Sequence, residues 1–321
     1  MIAWAKARIA SWGPYWTLPL LPALYACVLA LFGELRAEHV VLGVFTALVA
    51  FIGPRTKRFL EEFWPIVAVG IGYDLVRYLR PYFVTPERVL GCELRSAELA
   101  LFSVSPERTL QDLAAAYHRP ALDLFFAVPY TIFAYVALLY AGYLFFTDRR
   151  RMSVFVRAFA IANYVSFFCW LVVPAAPPWY LRAHGCLIDA SALPNPAGLA
   201  RVDALLGIDY FHAFYSRASS IFGALPSMHC AYPMLGLFSA WRFAGWKARS
   251  IHVVYAIAMA CGAVYLDHHW VIDVLAGWAT AAFAVWLAER LVERATTQAA
   301  PRTSVPPSAP ADPAPPELSQ A

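Results

Sequence analysis

The apolar residues of this chain fall into long runs with short polar interruptions, most of them close to the roughly 20 residues a helix needs to cross a bilayer. Taken run by run, the pattern predicts helices at about residues 16–33, 38–53, 63–80, 121–146, 154–173, 225–241, 250–266 and 269–289. The second run is short and fits a re-entrant or partial span, which would invert everything before it and leave the later helices in place. The 16–33 stretch lacks a small-residue cleavage site and follows a Trp-rich amphipathic segment, so it reads as a retained span and not as a signal sequence. No internal repeat is apparent.

Composition agrees with the pattern. Hydrophobic residues make up 61% of the 321, charged residues only 14%, and mean hydropathy is +0.56, whereas soluble domains carry about 25% charged residues. A soluble pair of domains and a nucleic-acid binder are both excluded, and the expected fold is an all-α integral membrane protein, a polytopic bundle of about six to eight transmembrane helices. N-terminal membrane helices and an outer loop are expected over 1–118, a second membrane domain over 119–292, and a Pro/Ala-rich tail, expected to be disordered, over 293–321.

The net charge of +4 matters less than its placement. Arg55, Lys57 and Arg58, then Arg149 to Arg151, then Arg242, Lys247 and Arg249, and finally Arg290 and Arg294 all fall on one side of an eight-span topology, together with Lys6 and Arg8. Positive residues in short loops mark the cytoplasmic face, which assigns both termini there and the long loops at 81–120 and 174–224 to the opposite side. Alanine- and arginine-rich usage points to a bacterial inner membrane. Cys27, Cys169, Cys230 and Cys261 lie in apolar stretches, while Cys92 and Cys186 lie in outer loops and are the two that could pair in an oxidising compartment.

Ionisable groups at membrane depth are costly and mark function by default. Two groups of them stand out. In the segment from Phe222 to His229, Pro226 and Ser227 read as the first turn of a helix that starts at the outer surface, where free backbone N–H groups favour phosphate. In the segment from Tyr265 to Asp273, His269 and Asp273 are four residues apart and share a helical face. Asp273 can then hold the imidazole and leave its distal nitrogen nucleophilic, with His229 on a neighbouring helix as general acid and base. Taken singly, each histidine could be an interhelical hydrogen bonder. A zinc site from His229, His268, His269 and Asp273 is the competing functional reading.

These segments resemble the type-2 phosphatidic acid phosphatase superfamily, which carries a Pro-Ser-x-His element and a later His-x-x-x-Asp; here they are Pro226 to His229 and His269 to Asp273. The Phe-Gly-Ala-Leu-Pro-Ser-Met-His run, the His268-His269 pair and Pro174-Ala-Ala-Pro-Pro-Trp179 are similar to its inositol phosphorylceramide synthase branch. The likeness covers about residues 120–290. The phosphatase Ser-Arg pair is replaced by Ala263 and Val264, and no lysine precedes Arg80-Pro81 or Arg119-Pro120 by seven residues.

The resemblance therefore implies a transferase more than a phosphomonoesterase. A phosphohistidine on His269 would carry a phospho-headgroup from a phospholipid donor, phosphatidylinositol, to a lipid-alcohol acceptor such as ceramide, with no metal or cofactor required. A lipid phosphate phosphatase is the alternative, and a transporter or scaffold a third class. Candidates to bind substrate are Ser227 and His268, the cations Arg77, Arg80, Arg182 and Arg217, and Asp123, which could orient a headgroup hydroxyl or simply cap its helix.

Overall fold

A computed structural model describes residues 2–299. Its helices are α1 (Ile2–Ala10), α2 (Leu21–Leu31), α3 (Ala37–Ile52), α4 (Pro54–Phe83), α5 (Cys92–Phe102), α6 (Leu110–Ala116), α7 (Pro120–Thr147), α8 (Arg149–Val172), α9 (Pro178–His184), α10 (Ala200–Leu206), α11 (Tyr210–Tyr215), α12 (Met228–Ala240), α13 (Trp246–Tyr265) and α14 (Val271–Ala299). Each of the eight apolar runs is helical. Among the described residues, five helical stretches are long and apolar enough to cross a membrane: Gly13–Leu31, Pro120–Thr147, Arg149–Val172, Trp246–Tyr265 and Val271–Gln298.

The largest departures from expectation are at α4, α12 and α14. α4 starts nine residues early because its charged first turns hold themselves in helix through Lys57–Glu61 and Arg58–Glu62 pairs at 2.9 Å. α12 has only 13 residues, short of a full span. α14 runs to Ala299, past the expected start of the tail at 293; residues 300–321 lie outside those described.

Helix α14 packs on α8 and α12, α8 also on α4, and α13 on α12 and α7, with α3 on α4 and α2 on α3. The seams are lined by alanines with no exposed surface, including Ala141, Ala158, Ala162, Ala231, Ala281, Ala284 and Ala288. Small side chains let helix backbones approach where apolar burial gives no drive against lipid. At the closest approach, a Cβ on Gly277 of α14 would sit 2.3 Å from the Ser227 carbonyl oxygen that precedes α12. Large apolar side chains such as Leu31 and Phe146 face outward, as a lipid environment allows.

The basic segments gather at one end, where Arg149 donates to Glu62 at 2.7 Å and Lys57 lies over the Trp12 ring. At the other end, α5, α6, α9, α10 and α11 form a cap from the two long loops. Three extended strips stitch it together: Leu90 N–H donates to Pro174 O, Ala176 N–H to Leu90 O, and Ala175 N–H to Phe222 O, at 2.8–2.9 Å. A disulfide joins Cys92 to Cys186 in the same cap, with Cα atoms 5.5 Å apart.

Candidate active site

The cap and the bundle meet at a sharp turn between α13 and α14. Asp267 takes a left-handed conformation with φ of 65°, so the chain reverses before His268 and His269, and α14 begins only at Val271. His269 is therefore on a short linker and not on a helical face, although Asp273 is in the first turn of α14.

Three groups face the His269 ring. Its Nδ1 is 3.0 Å from the Ala224 carbonyl oxygen and 3.5 Å from Asp273 Oδ2. Its Nε2 is 3.2 Å from Nδ1 of His229. A carbonyl only accepts, so Nδ1 carries the proton and Nε2 keeps its lone pair toward His229. Asp273 was expected to be the main orienting group; the carbonyl is nearer. Asp273 is fully buried, accepts the Trp270 N–H at 2.9 Å through Oδ2, and has no hydrogen-bond partner at Oδ1. Its carboxylate lies beside the imidazole.

The Ala224 carbonyl is held in place by the Pro174–Trp179 motif. Ala224 N–H donates to Ala175 O at 3.3 Å, Trp270 Nε1 donates to Ala176 O at 3.0 Å, and Trp179 N–H donates to Asp267 O at 3.1 Å. The motif thus serves as a scaffold that ties both sides of the His269 ring to one strip of backbone. Ser227 caps α12 by accepting from Cys230 N–H at 3.3 Å, and its own N–H donates to the Asp273 carbonyl at 3.0 Å. It fixes α12 against α14, leaving His229 one residue into the helix after Met228.

Tyr130 of α7 stacks on His229 with ring centroids 4.0 Å apart, and its hydroxyl is 3.1 Å from His229 Nδ1. Tyr130 lies two helical turns from Asp123, a spacing that puts both on one face of α7. His268 is sandwiched between Tyr130 and Tyr215 at 5.0 and 4.9 Å, with Nε2 at 3.0 Å from the Pro196 carbonyl. Burial first, and the adjacent His269 second, push the His268 imidazole down to about 3. It is a neutral wall of the site and supplies no charge to a phosphate. Among the described residues no three His, Cys, Asp or Glu side chains converge as metal ligands.

Two expected substrate contacts are already engaged. Arg182 was read as a phosphate cation, but it forms a fork on Asp267 with two bonds of 2.9 Å and reaches Asp112 at 3.1 Å. Burial opposes ionisation of Asp112, yet hydrogen bonds from Thr109 and the Arg95 and Arg182 guanidiniums hold its pKa below the usual carboxylate range. Arg182 is therefore a clamp on the turn before His268. Asp123 was read as a hydroxyl binder or helix cap; it is 3% exposed and ion-paired with Arg201 at 2.7 Å. Arg201 carried no sequence signal.

Arg77 lies 3.7 Å from Asp74, three residues earlier in α4, and donates to the backbone carbonyl of Arg217 at 2.6 Å. Asp74 is shared with Arg36, His39 and Tyr25, which locks α2, α3 and α4 together. Arg80 and the exposed Arg217 form no ion pair among the described residues.

The model of the PAP2 superfamily matches residues 94–287. The chain belongs to the PAP2 superfamily. The match opens within α5, so most of the outer cap lies inside the family segment. Phosphoinositol dihydroceramide synthase of Bacteroides thetaiotaomicron is 30% identical over 266 residues, which cover 81% of this chain and 87% of that protein. Inositol phosphorylceramide synthase of Candida albicans is 33% identical over 172 residues, covering 52% of this chain and 36% of that protein. The inositol phosphorylceramide synthase catalytic subunit AUR1 of Saccharomyces cerevisiae is 31% identical over 235 residues, covering 71% of this chain and 56% of that protein. The chain thus spans most of the bacterial relative and between a third and three fifths of these fungal ones. No solved structure matches the chain significantly.

Proposed function

We propose that this PAP2-superfamily protein is an integral membrane phosphotransferase that moves phosphoinositol from phosphatidylinositol to a lipid alcohol of the ceramide class. The observation that carries the reading is the pairing of a lone-pair nitrogen, Nε2 of His269, with His229 Nδ1 at 3.2 Å. The names of the bacterial and fungal relatives supply the headgroup and the acceptor class.

The donor's phosphorus enters between the two rings. His269 Nε2 bonds to phosphorus as the bond to the diacylglycerol oxygen breaks, and His229 delivers a proton to that oxygen. The phosphohistidine ring then bears positive charge, which the buried Asp273 carboxylate offsets. The acceptor hydroxyl next gives its proton to His229 and attacks phosphorus, which breaks the P–N bond and restores His269. Arg217 and Arg80 are the uncommitted cations for the phosphoryl oxygens, and Arg77 holds the Arg217 loop.

The reading places the site on the non-cytoplasmic side and both termini in the cytoplasm. The Cys92–Cys186 bridge beside the site suits an oxidising compartment, and the basic residues collect at the opposite end. A bacterial inner membrane is the proposed location.

The test supplies purified protein with labelled phosphatidylinositol, with and without ceramide, in EDTA. Ceramide-dependent label in a phosphoinositol lipid, with one diacylglycerol released per transfer, is expected. Release of inositol phosphate to water regardless of ceramide would replace the transferase with a hydrolase.

A further inference from the structure

Glu98 of α5 has no exposed surface although it carries an ionisable group. Its carboxylate accepts the N–H groups of Val271 at 2.8 Å and Ile272 at 3.2 Å, the first two donors of α14, which have no carbonyl partner inside their own helix. A third bond comes from Nε2 of Gln111 in α6, at 3.1 Å. The same amide donates to the backbone carbonyl of His269 at 3.1 Å. Gln111 is 1% exposed.

We infer that Glu98 and Gln111 are positioning residues that set the backbone of His269, the nucleophile of the proposed reaction, from the outer cap. The inference rests on that reading of His269. The chemistry explains why the pair is needed. His269 precedes α14, so helical hydrogen bonds do not fix its carbonyl, and its ring is aimed by the Ala224 oxygen on a different segment. A rotation of the peptide at 269 or 270 would swing Nε2 away from His229 while leaving the rest of the bundle intact. Gln111 holds the carbonyl on one side of Trp270, and Glu98 holds the N–H groups on the other. A carboxylate also suits the positive end of the α14 dipole.

Burying a carboxylate costs free energy unless it is well paired. A serine or aspartate within the α14 segment could cap the helix without that cost. The cap is further fastened around the same turn: Cys92 starts α5 and is bonded to Cys186, and Arg182 ties Asp112 of α6 to Asp267. Helix α5, helix α6 and the turn at Asp267 are therefore joined by side-chain bonds on several sides.

The experiment compares Glu98→Gln and Gln111→Met with Arg95→Ala in the full chain. Arg95 bonds Asp112 at 3.1 Å in the same cap and, among the described residues, has no hydrogen bond to His269 or α14. Thermal midpoint, kcat and KM for phosphatidylinositol are measured per folded molecule. Displacement of a reacting group by about 1 Å can cost 10²-fold. We expect kcat to fall about 10- to 100-fold in both Glu98→Gln and Gln111→Met, with KM within twofold of wild type, and Arg95→Ala to lower the midpoint with kcat retained. Unchanged kcat in Glu98→Gln and Gln111→Met, or an equal loss in Arg95→Ala at a matched midpoint, would overturn the inference while leaving a transferring wild type intact. Absence of transfer by the wild type would instead defeat the underlying reading.

Discussion

Replacing Asp273 with Asn removes a charge and keeps the shape, and the Trp270 N–H retains an oxygen to donate to. Two mechanisms for Asp273 give very different losses. If the carboxylate alone selected the tautomer of His269, Asn would strand the wrong one, as in serine-protease triads where the same change costs about 10⁴. Here the Ala224 carbonyl at 3.0 Å is a nearer acceptor than Asp273 at 3.5 Å, so the tautomer survives and only electrostatic support is lost. For unit charges 3.5 Å apart, an effective dielectric of about 20 gives roughly 5 kcal/mol. A transition state with about half a charge on the ring would lose ~2.4 kcal/mol, or roughly 50-fold in kcat. Initial rates of headgroup transfer in mixed micelles, normalised to folded protein, provide the assay. A loss near 10⁴ would show that the carbonyl does not orient His269, and a loss under threefold would remove Asp273 from charge stabilisation.

Tyr130→Phe keeps the stack on His229 and deletes one neutral hydrogen bond of about 0.5–1.5 kcal/mol; kcat should drop up to about 10-fold, and a loss above 10³ would make Tyr130 a proton carrier. Arg182→Ala should act on stability, since it leaves Asp267 buried without its partner; because Arg182 is itself part-exposed, the cost is about 2–3 kcal/mol, below the fully buried range. A lowered thermal midpoint with unchanged KM is expected, whereas a tenfold rise in KM at an unchanged midpoint would return Arg182 to substrate binding. Gly277→Ala should lower the thermal midpoint through a cost of about 3 kcal/mol or more, because its Cβ would lie 2.3 Å from the Ser227 carbonyl and both sides of the contact are helix-bound backbone. An unchanged midpoint would contradict the close α12–α14 packing.

Much of the architecture was legible because lipid forces backbone polar groups to pair locally, so apolar runs and helices coincide. Apolar runs and helices part where ion pairs stabilise the helix, as in the first turns of α4. His229, His269 and Asp273 were visible through short spacings. Their surroundings were not: the bonds of Arg182 to Asp267 and Arg201 to Asp123 join residues 85 and 78 positions apart, so no local pattern encodes them. The Ala224 carbonyl has no side-chain signature at all, and the role of Pro174–Trp179 emerges only when its backbone is seen beside that carbonyl. Glu98 and Gln111 sit in a polar outer loop whose burial depends on the folded cap.

The central claim is that His269 becomes covalently loaded with the headgroup. It is tested by mixing the enzyme with phosphatidylinositol labelled at phosphorus, without acceptor, quenching in base within one turnover, and mapping the labelled peptide. Label that is acid-labile, base-stable, on the peptide containing His269, and discharged by added ceramide is the predicted result. Transfer to ceramide at full rate by a His269→Ala variant, or label reproducibly on another residue, would contradict it.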